Sequence, residues 1–284
     1  MAAVINLLDQ GRLDEAWQQA QKMAPVAPGS YEYLVTTLLK QWASLATEEQ
    51  AAIPSFQDNL DADFQFVPAS HTTGRGDRML IVFCGMAQRF GGCPLQLMHC
   101  LLGRLGVHLL YLRDFDHSFY LNGLRRHHYN FADTLEHIKA VGRQHGAERI
   151  FTIGSSSGGF GALHWGLELA AERIVSLAGP TNLTHRLPQI RSRQHDQGIP
   201  AAHLADAWAA DAAARLRQPG PQPQFQLLYA AENDNDVRFA KDLGNPPPPH
   251  VSVQALEGSS AHNVVLPLLE RNQLDSMLLN LVAP

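Results

Sequence analysis

Apolar positions in the first fifty residues recur at helical spacing: Leu13, Ala16, Trp17, Ala20 and Met23, then, after Pro25 and Pro28, Tyr31, Leu34, Leu38, Trp42 and Leu45. Side chains three and four apart share one face of a helix, so residues 1–58 are predicted to form an N-terminal helical hairpin. From about residue 60 the pattern changes. Short apolar, β-branched runs at 79–84, 108–112, 149–153, 174–177, 225–230 and 251–256 alternate with helix-period segments at 94–105, 131–145, 159–170, 202–216, 237–243 and 266–281. Strands this short and apolar suit a sheet covered on both faces. Their alternation with helices predicts an α/β domain over 59–284 with a mostly parallel central sheet. Asn130 is placed to cap a helix in which Phe131, Leu135, Ile138 and Val141 share a face.

Three stretches read as surface loops: the polar segment 180–193, the breaker Gly220-Pro-Gln-Pro223 and the run Pro246 to Pro249. The region near 180–223 has room for a small lid with one helix, 202–216, and not for a large cap, so an open site is expected.

Composition narrows the function classes. With 284 residues, 45% of them hydrophobic and 17% charged, the chain has ordinary globular make-up and can bury a substantial core. A formal charge of -5, with no long basic cluster, argues against nucleic acid as a partner. The N-terminus lacks a cationic leader and no apolar run could span a bilayer, so neither a secretory signal nor a membrane span is expected. Cys84, Cys93 and Cys100 are odd in number and lack metal spacing, which fits free thiols in a reducing compartment and a cytoplasmic protein.

The candidate chemistry begins at Gly154-Ser-Ser156-Ser-Gly158, a G-x-S-x-G motif between a strand and a helix. A nucleophile on so tight a turn needs neighbours without side chains, and Gly154 and Gly158 supply that clearance. The same turn opens a helix, so the Ser157 backbone N–H points toward the place where an oxyanion would develop. A phosphate-binding or purely structural βα turn is the alternative for this segment alone. A serine hydroxyl also needs a base, and a histidine acts as one when an acid fixes its tautomer. His262 lies in the Glu257-Gly-Ser-Ser-Ala-His262 loop between the last strand and the terminal helix, while Glu232, Asp234 and Asp236 crowd the end of the strand before it.

Taken together these segments resemble the α/β-hydrolase superfamily of serine esterases and thioesterases, over roughly residues 60–284. The resemblance implies Ser156 as nucleophile and His262 as general base. It also implies Asp234 as the orienting acid, three residues before Val237, with Asp236 the alternative. It places a second oxyanion donor just after the strand ending Val82-Phe-Cys-Gly85, which is Met86 opposite Ser157. Here Cys84-Gly85 stands where the family has His-Gly, and Ala87 is the alternative donor. The implied activity is cleavage of an ester or thioester, on a small molecule or an acyl carrier, through an acyl-enzyme. Transfer of the acyl group to another acceptor is the alternative, as is a non-catalytic scaffold. After the strand at 108–112, the loop Arg113-Asp-Phe-Asp-His-Ser-Phe-Tyr-Leu-Asn122 offers Asp114, Tyr120 and Asn122 for substrate polar groups, or for bonds within the loop itself. The hairpin segment Gly11-Arg-Leu-Asp-Glu-Ala16 resembles part of a tetratricopeptide repeat. One unit cannot stack into a solenoid, so these helices either pack on the main domain or bind a protein partner or a second copy.

Other chemistries fit less well. No two of the 14 histidines are three or four residues apart, and the glycine-rich segment does not open the first βαβ unit. Neither metal nor cofactor is expected, and Cys84, ending an apolar strand, reads as core.

Overall fold

A computed structural model describes residues 1–70, 75–127, 129–199 and 206–283. Seven strands form one sheet: β1 Phe64–Val67, β2 Arg78–Phe83, β3 His108–Leu112, β4 Arg149–Ser155, β5 Arg173–Leu177, β6 Gln224–Ala230 and β7 Val251–Leu256. Their order is β1-β3-β2-β4-β5-β6-β7, with β1 antiparallel to β3 and every other pair parallel. The six strands expected from their apolar runs are present. β1 is additional, because four residues with two half-buried positions carry little pattern.

Period-two alternation sends each parallel strand to two cores. In β2, Met79, Ile81 and Phe83 enter one apolar cluster and Leu80 and Val82 the other. On the first face pack α6 Phe131–Gln144, α7 Ser157–Glu168, α8 Leu187–Asp196, α10 Ala212–Leu216 and α11 Asp234–Lys241. On the second pack α1 Ala2–Asp9, α2 Leu13–Ala20, α3 Tyr31–Ala43, α5 Leu95–Leu102, α12 Val265–Glu270 and α13 Leu274–Leu281. The short α4 Thr47–Ala52 and α9 Ala207–Ala210 complete the helices described. Helices cover both faces, which buries the apolar central strands.

Local sequence explains the ends of these elements. Asn130 caps α6 by accepting the Asp133 N–H at 3.2 Å, and Ser30 caps α3 by accepting the Tyr33 N–H at 3.1 Å. Val4 and Leu8 of α1 and Leu34, Val35 and Leu38 of α3 share a core with Leu97 and Met98 of α5, so the N-terminal helices lie against the α/β unit. Three expectations need correction. The segment 180–193 holds α8, whose Leu187 and Ile190 are buried. The helix expected at 202–216 is two short ones, because the Asp206 and Asp211 side chains each cap a new start; its first residues, 202–205, lie outside the described ones. The last predicted helix breaks around Asn272, which has a left-handed φ of 55°, into α12 and α13.

Candidate active site

The turn from β4 into α7 carries Ser156 with φ 55° and ψ -123°, a strained conformation for a residue with a side chain. Its N–H donates to the Leu177 carbonyl at 2.8 Å, which holds the turn against β5. A Cβ on Gly154 would stand 1.8 Å from the Gly158 carbonyl oxygen, and one on Gly158 would stand 2.2 Å from the Phe83 oxygen. Only glycine fits at either position, so the two glycines of the motif are sterically required.

Ser156 Oγ lies 2.8 Å from His262 Nε2, and His262 Nδ1 lies 2.7 Å from Asp236 Oδ1. The carboxylate beside His262 is therefore Asp236 and not Asp234. Asn233 caps α11 by accepting the Asp236 N–H at 3.3 Å, which makes Asp234 the first helical residue and leaves it exposed. Asp236 falls on the face shared by Phe239 and Ala240, its side chain fully buried near the helix N-terminus, where the dipole favours an anion. The neighbouring acid has another task. Glu232 accepts the Gly258 N–H at 2.7 Å, and Asn233 donates to the Ser260 carbonyl at 3.1 Å, so the loop carrying the acid is stitched to the loop carrying the base.

After β2 the chain makes a tight turn in which the Gly85 N–H donates to the Arg89 carbonyl at 2.8 Å and Gln88 adopts φ 59°. Among the described residues the Met86 and Ser157 N–H groups have no protein acceptor, nor does that of Ala87. Met86, Ala87, Gly91, Leu177 and Val265 line a cleft of about 230 Å³ in which Ser156 and His262 sit. No described residue of 180–223 lines this cleft, and the His262 side chain is 43% exposed. A larger hollow of about 310 Å³, lined by Ile53, Leu101 and Leu278, contains no serine, cysteine or histidine.

Asp114, Tyr120 and Asn122 do not reach the cleft. Asp114 accepts from the Ser118 hydroxyl at 3.2 Å and from the Tyr120 N–H at 3.1 Å, and burial raises its carboxyl above the usual range. The Tyr120 hydroxyl donates to the Cys84 and Leu112 carbonyls at 2.8 and 2.9 Å. Asn122 Oδ1 accepts from Gln194 at 2.8 Å. The loop after β3 is bonded to itself and to the scaffold, because its polar side chains point inward. Cys84 is fully buried, and desolvation pushes its thiol up to about 12, leaving it in the inert thiol form. The described residues include no group of three or more His, Cys, Asp or Glu placed to hold a metal ion, and no helix long and apolar enough to cross a membrane.

Two residues with no visible chemical motif also belong to the site. Ser155 accepts the Gly91 N–H at 2.8 Å and Asn263 donates to the Gly91 carbonyl at 2.7 Å. Ser155 adjoins Ser156 and Asn263 adjoins His262 in sequence, which is the one signal that could have drawn attention to them.

No family model matches the sequence, and no curated protein does. Solved structures resemble it in fold. A 2,6-dihydroxy-pseudo-oxynicotine hydrolase superposes with a TM-score of 0.55 at 15% identity, over 96% of this chain and 81% of its own. A capsule O-acetyltransferase of Neisseria meningitidis serogroup A gives 0.52 at 13% identity, over 81% of this chain and 99% of its own. A fluorophosphonate-binding serine hydrolase of Staphylococcus aureus gives 0.51 at 13%, over 78% and 92%. At such identities the likeness concerns the arrangement of strands and helices.

Proposed function

This chain has the α/β-hydrolase fold, and on that premise we propose that it is a serine hydrolase cleaving a small ester or thioester through an acyl-enzyme. The observation that carries this reading is the unbroken hydrogen-bonded chain from Asp236 through His262 to Ser156. Ser156 Oγ attacks the substrate carbonyl carbon as its proton passes to His262 Nε2, and the carbonyl electron pair moves onto oxygen. The free N–H groups of Met86 and Ser157 receive that oxyanion. Asp236 holds the Nδ1 proton and balances the imidazolium. When the adduct collapses, the alcohol or thiol leaves with the proton from Nε2. Water then gives its proton to His262, attacks the acyl carbon and displaces Ser156, which regains the proton.

A cleft of about 230 Å³ is smaller than the pockets of roughly 300 Å³ and upward that hold drug-sized ligands, which favours short acyl groups. Transfer of the acyl group to an alcohol is a second reading, favoured by the exposed face of His262 and by the fold shared with a capsule O-acetyltransferase. A panel of p-nitrophenyl esters and acyl thioesters of increasing chain length, assayed with and without glycerol, tests both readings. Turnover is expected to peak at short acyl chains and to vanish in Ser156→Ala. Glycerol ester as the main product would select transfer, and full turnover in Ser156→Ala would overturn both.

A further inference from the structure

The loop that carries Met86 is tied at Gln88 and Arg89: Gln88 Nε2 donates to the Asp114 carbonyl at 2.8 Å, Arg113 Nε donates to the Gln88 carbonyl at 3.2 Å, and Arg89 pairs with Asp9 at 3.3 Å. Its internal bonds are those of one turn, Met86 is 39% exposed, and Gln88 has a left-handed backbone. An oxyanion donor helps only if it stays within about 3 Å of where the charge develops. The bonds at Gln88 and Arg89 lead to the loop after β3 and to α1, so the tie to the segments bearing Ser156 and His262 runs through Gly91.

We propose that Ser155 and Asn263 are positioning residues that lock the loop in place by gripping the two ends of one peptide unit pair, the N–H and the carbonyl of Gly91. Ser155 is the last residue of β4, buried and joined directly to Ser156, and its hydroxyl oxygen accepts the Gly91 N–H. Asn263 follows His262, and its amide donates to the Gly91 carbonyl. Asn263 is itself fixed, because its Oδ1 accepts the Val265 N–H at 3.1 Å at the start of α12. Gly91 has φ 59°, and a Cβ there would lie 2.4 Å from a Val265 methyl, so the backbone sits flush against α12. The three loops bearing nucleophile, oxyanion donor and base thus meet at one residue. A shift of any one of them breaks a hydrogen bond to Gly91, and that holds Met86, Ser156 and His262 in a single geometry.

The catalytic part of this inference rests on the hydrolase reading; the mechanical part does not. The test uses the full chain with Ser155→Ala and with Asn263→Asp, which keeps the acceptor for Val265 and loses the donor to Gly91. Hydrogen exchange across residues 85–92 and steady-state turnover are measured for each variant and for the double variant. In each single variant, exchange in this segment should quicken about tenfold and kcat should fall about tenfold, with KM within about threefold of the parent, the size of one lost hydrogen bond. The double variant should lose less than the product of the singles, because both act through Gly91. Unchanged exchange in either single variant, quickened exchange with unaltered kcat, or strictly multiplicative losses would overturn the proposal. If the parent turns over no ester while exchange responds as stated, the lock stands and the hydrolase reading fails.

Discussion

The loops after β2 and β3 emerge side by side at the carboxyl edge of the sheet, yet they spend their polar groups in opposite ways. The β3 loop contains Asp114, Tyr120 and Asn122, which look like binding residues, and all three bond within the protein. The β2 loop is poor in such side chains, but it leaves the backbone N–H groups of Met86 and Ala87 unpaired at the cleft. These three side chains are turned into the scaffold and away from the cleft, with only Asn122 Nδ2 left without a partner among the described residues, whereas the unpaired amides lie at the cleft itself. The difference is one of direction. Trp165 donates to the Tyr120 carbonyl at 2.7 Å and Arg113 is fully buried among Asp58, Asn59 and Ala62, which draws the β3 loop into the scaffold.

The strongest challenge to this division concerns the carboxylates beside the cleft. Asp236→Asn should lower kcat/KM by about 10³ to 10⁴, since the amide can no longer fix the Nδ1 proton or balance the imidazolium. Asp234→Asn, at an exposed first-turn position, should change it less than about threefold. The reverse order in ester assays would return the acid role to Asp234.

Acid should weaken the packed side next. His164, on α7 behind the β3 loop, is buried beside Arg215, and desolvation followed by the Arg215 charge lowers its pKa to about 3. The folded chain then resists a proton that the unfolded chain accepts near 6.5. The stability His164 contributes is complete above pH 6.5 and is lost as pH falls toward about 3, on the order of 1 kcal/mol per pH unit. Urea unfolding at pH 7 and pH 5 should show that loss, and His164→Gln should flatten it; an equal slope in the variant would remove His164 from the account.

Tyr120→Phe gives the smallest effect and the finest distinction. It removes the donor to the Cys84 and Leu112 carbonyls, so unfolding free energy should drop by about 1 to 3 kcal/mol while KM stays unchanged. A several-fold rise in KM with intact stability would make Tyr120 a substrate contact and erase the contrast between the loops.

Much of this arrangement is legible in the chain because its signals are steric. Short, mostly apolar runs mark the six parallel strands, and Gly154 and Gly158 stand where no side chain fits. The carboxylate beside His262 is harder to read because an offset from Val237 says nothing about which way a residue turns. The face of α11 does say it: Asp236, Phe239 and Ala240 are spaced i, i+3 and i+4, so the carboxylate on the apolar stripe is the one turned inward. Asp114, Tyr120 and Asn122 read as binding groups for the opposite reason, since sequence reveals that a group is polar and not where its partner is; in the structure none of them lines the cleft. Ser155 and Asn263 act through a glycine distant in sequence, 64 and 172 residues away, and no local pattern encodes such a contact.

The most direct measurement is fluorophosphonate labelling of the folded full chain, followed by peptide mapping and repeated in His262→Ala and Asp236→Asn. A single adduct on Ser156, formed far more slowly in both variants, is the expected result. An unlabelled Ser156, or labelling that proceeds at the parent rate without His262, would contradict the assignment of a working Ser156–His262–Asp236 site.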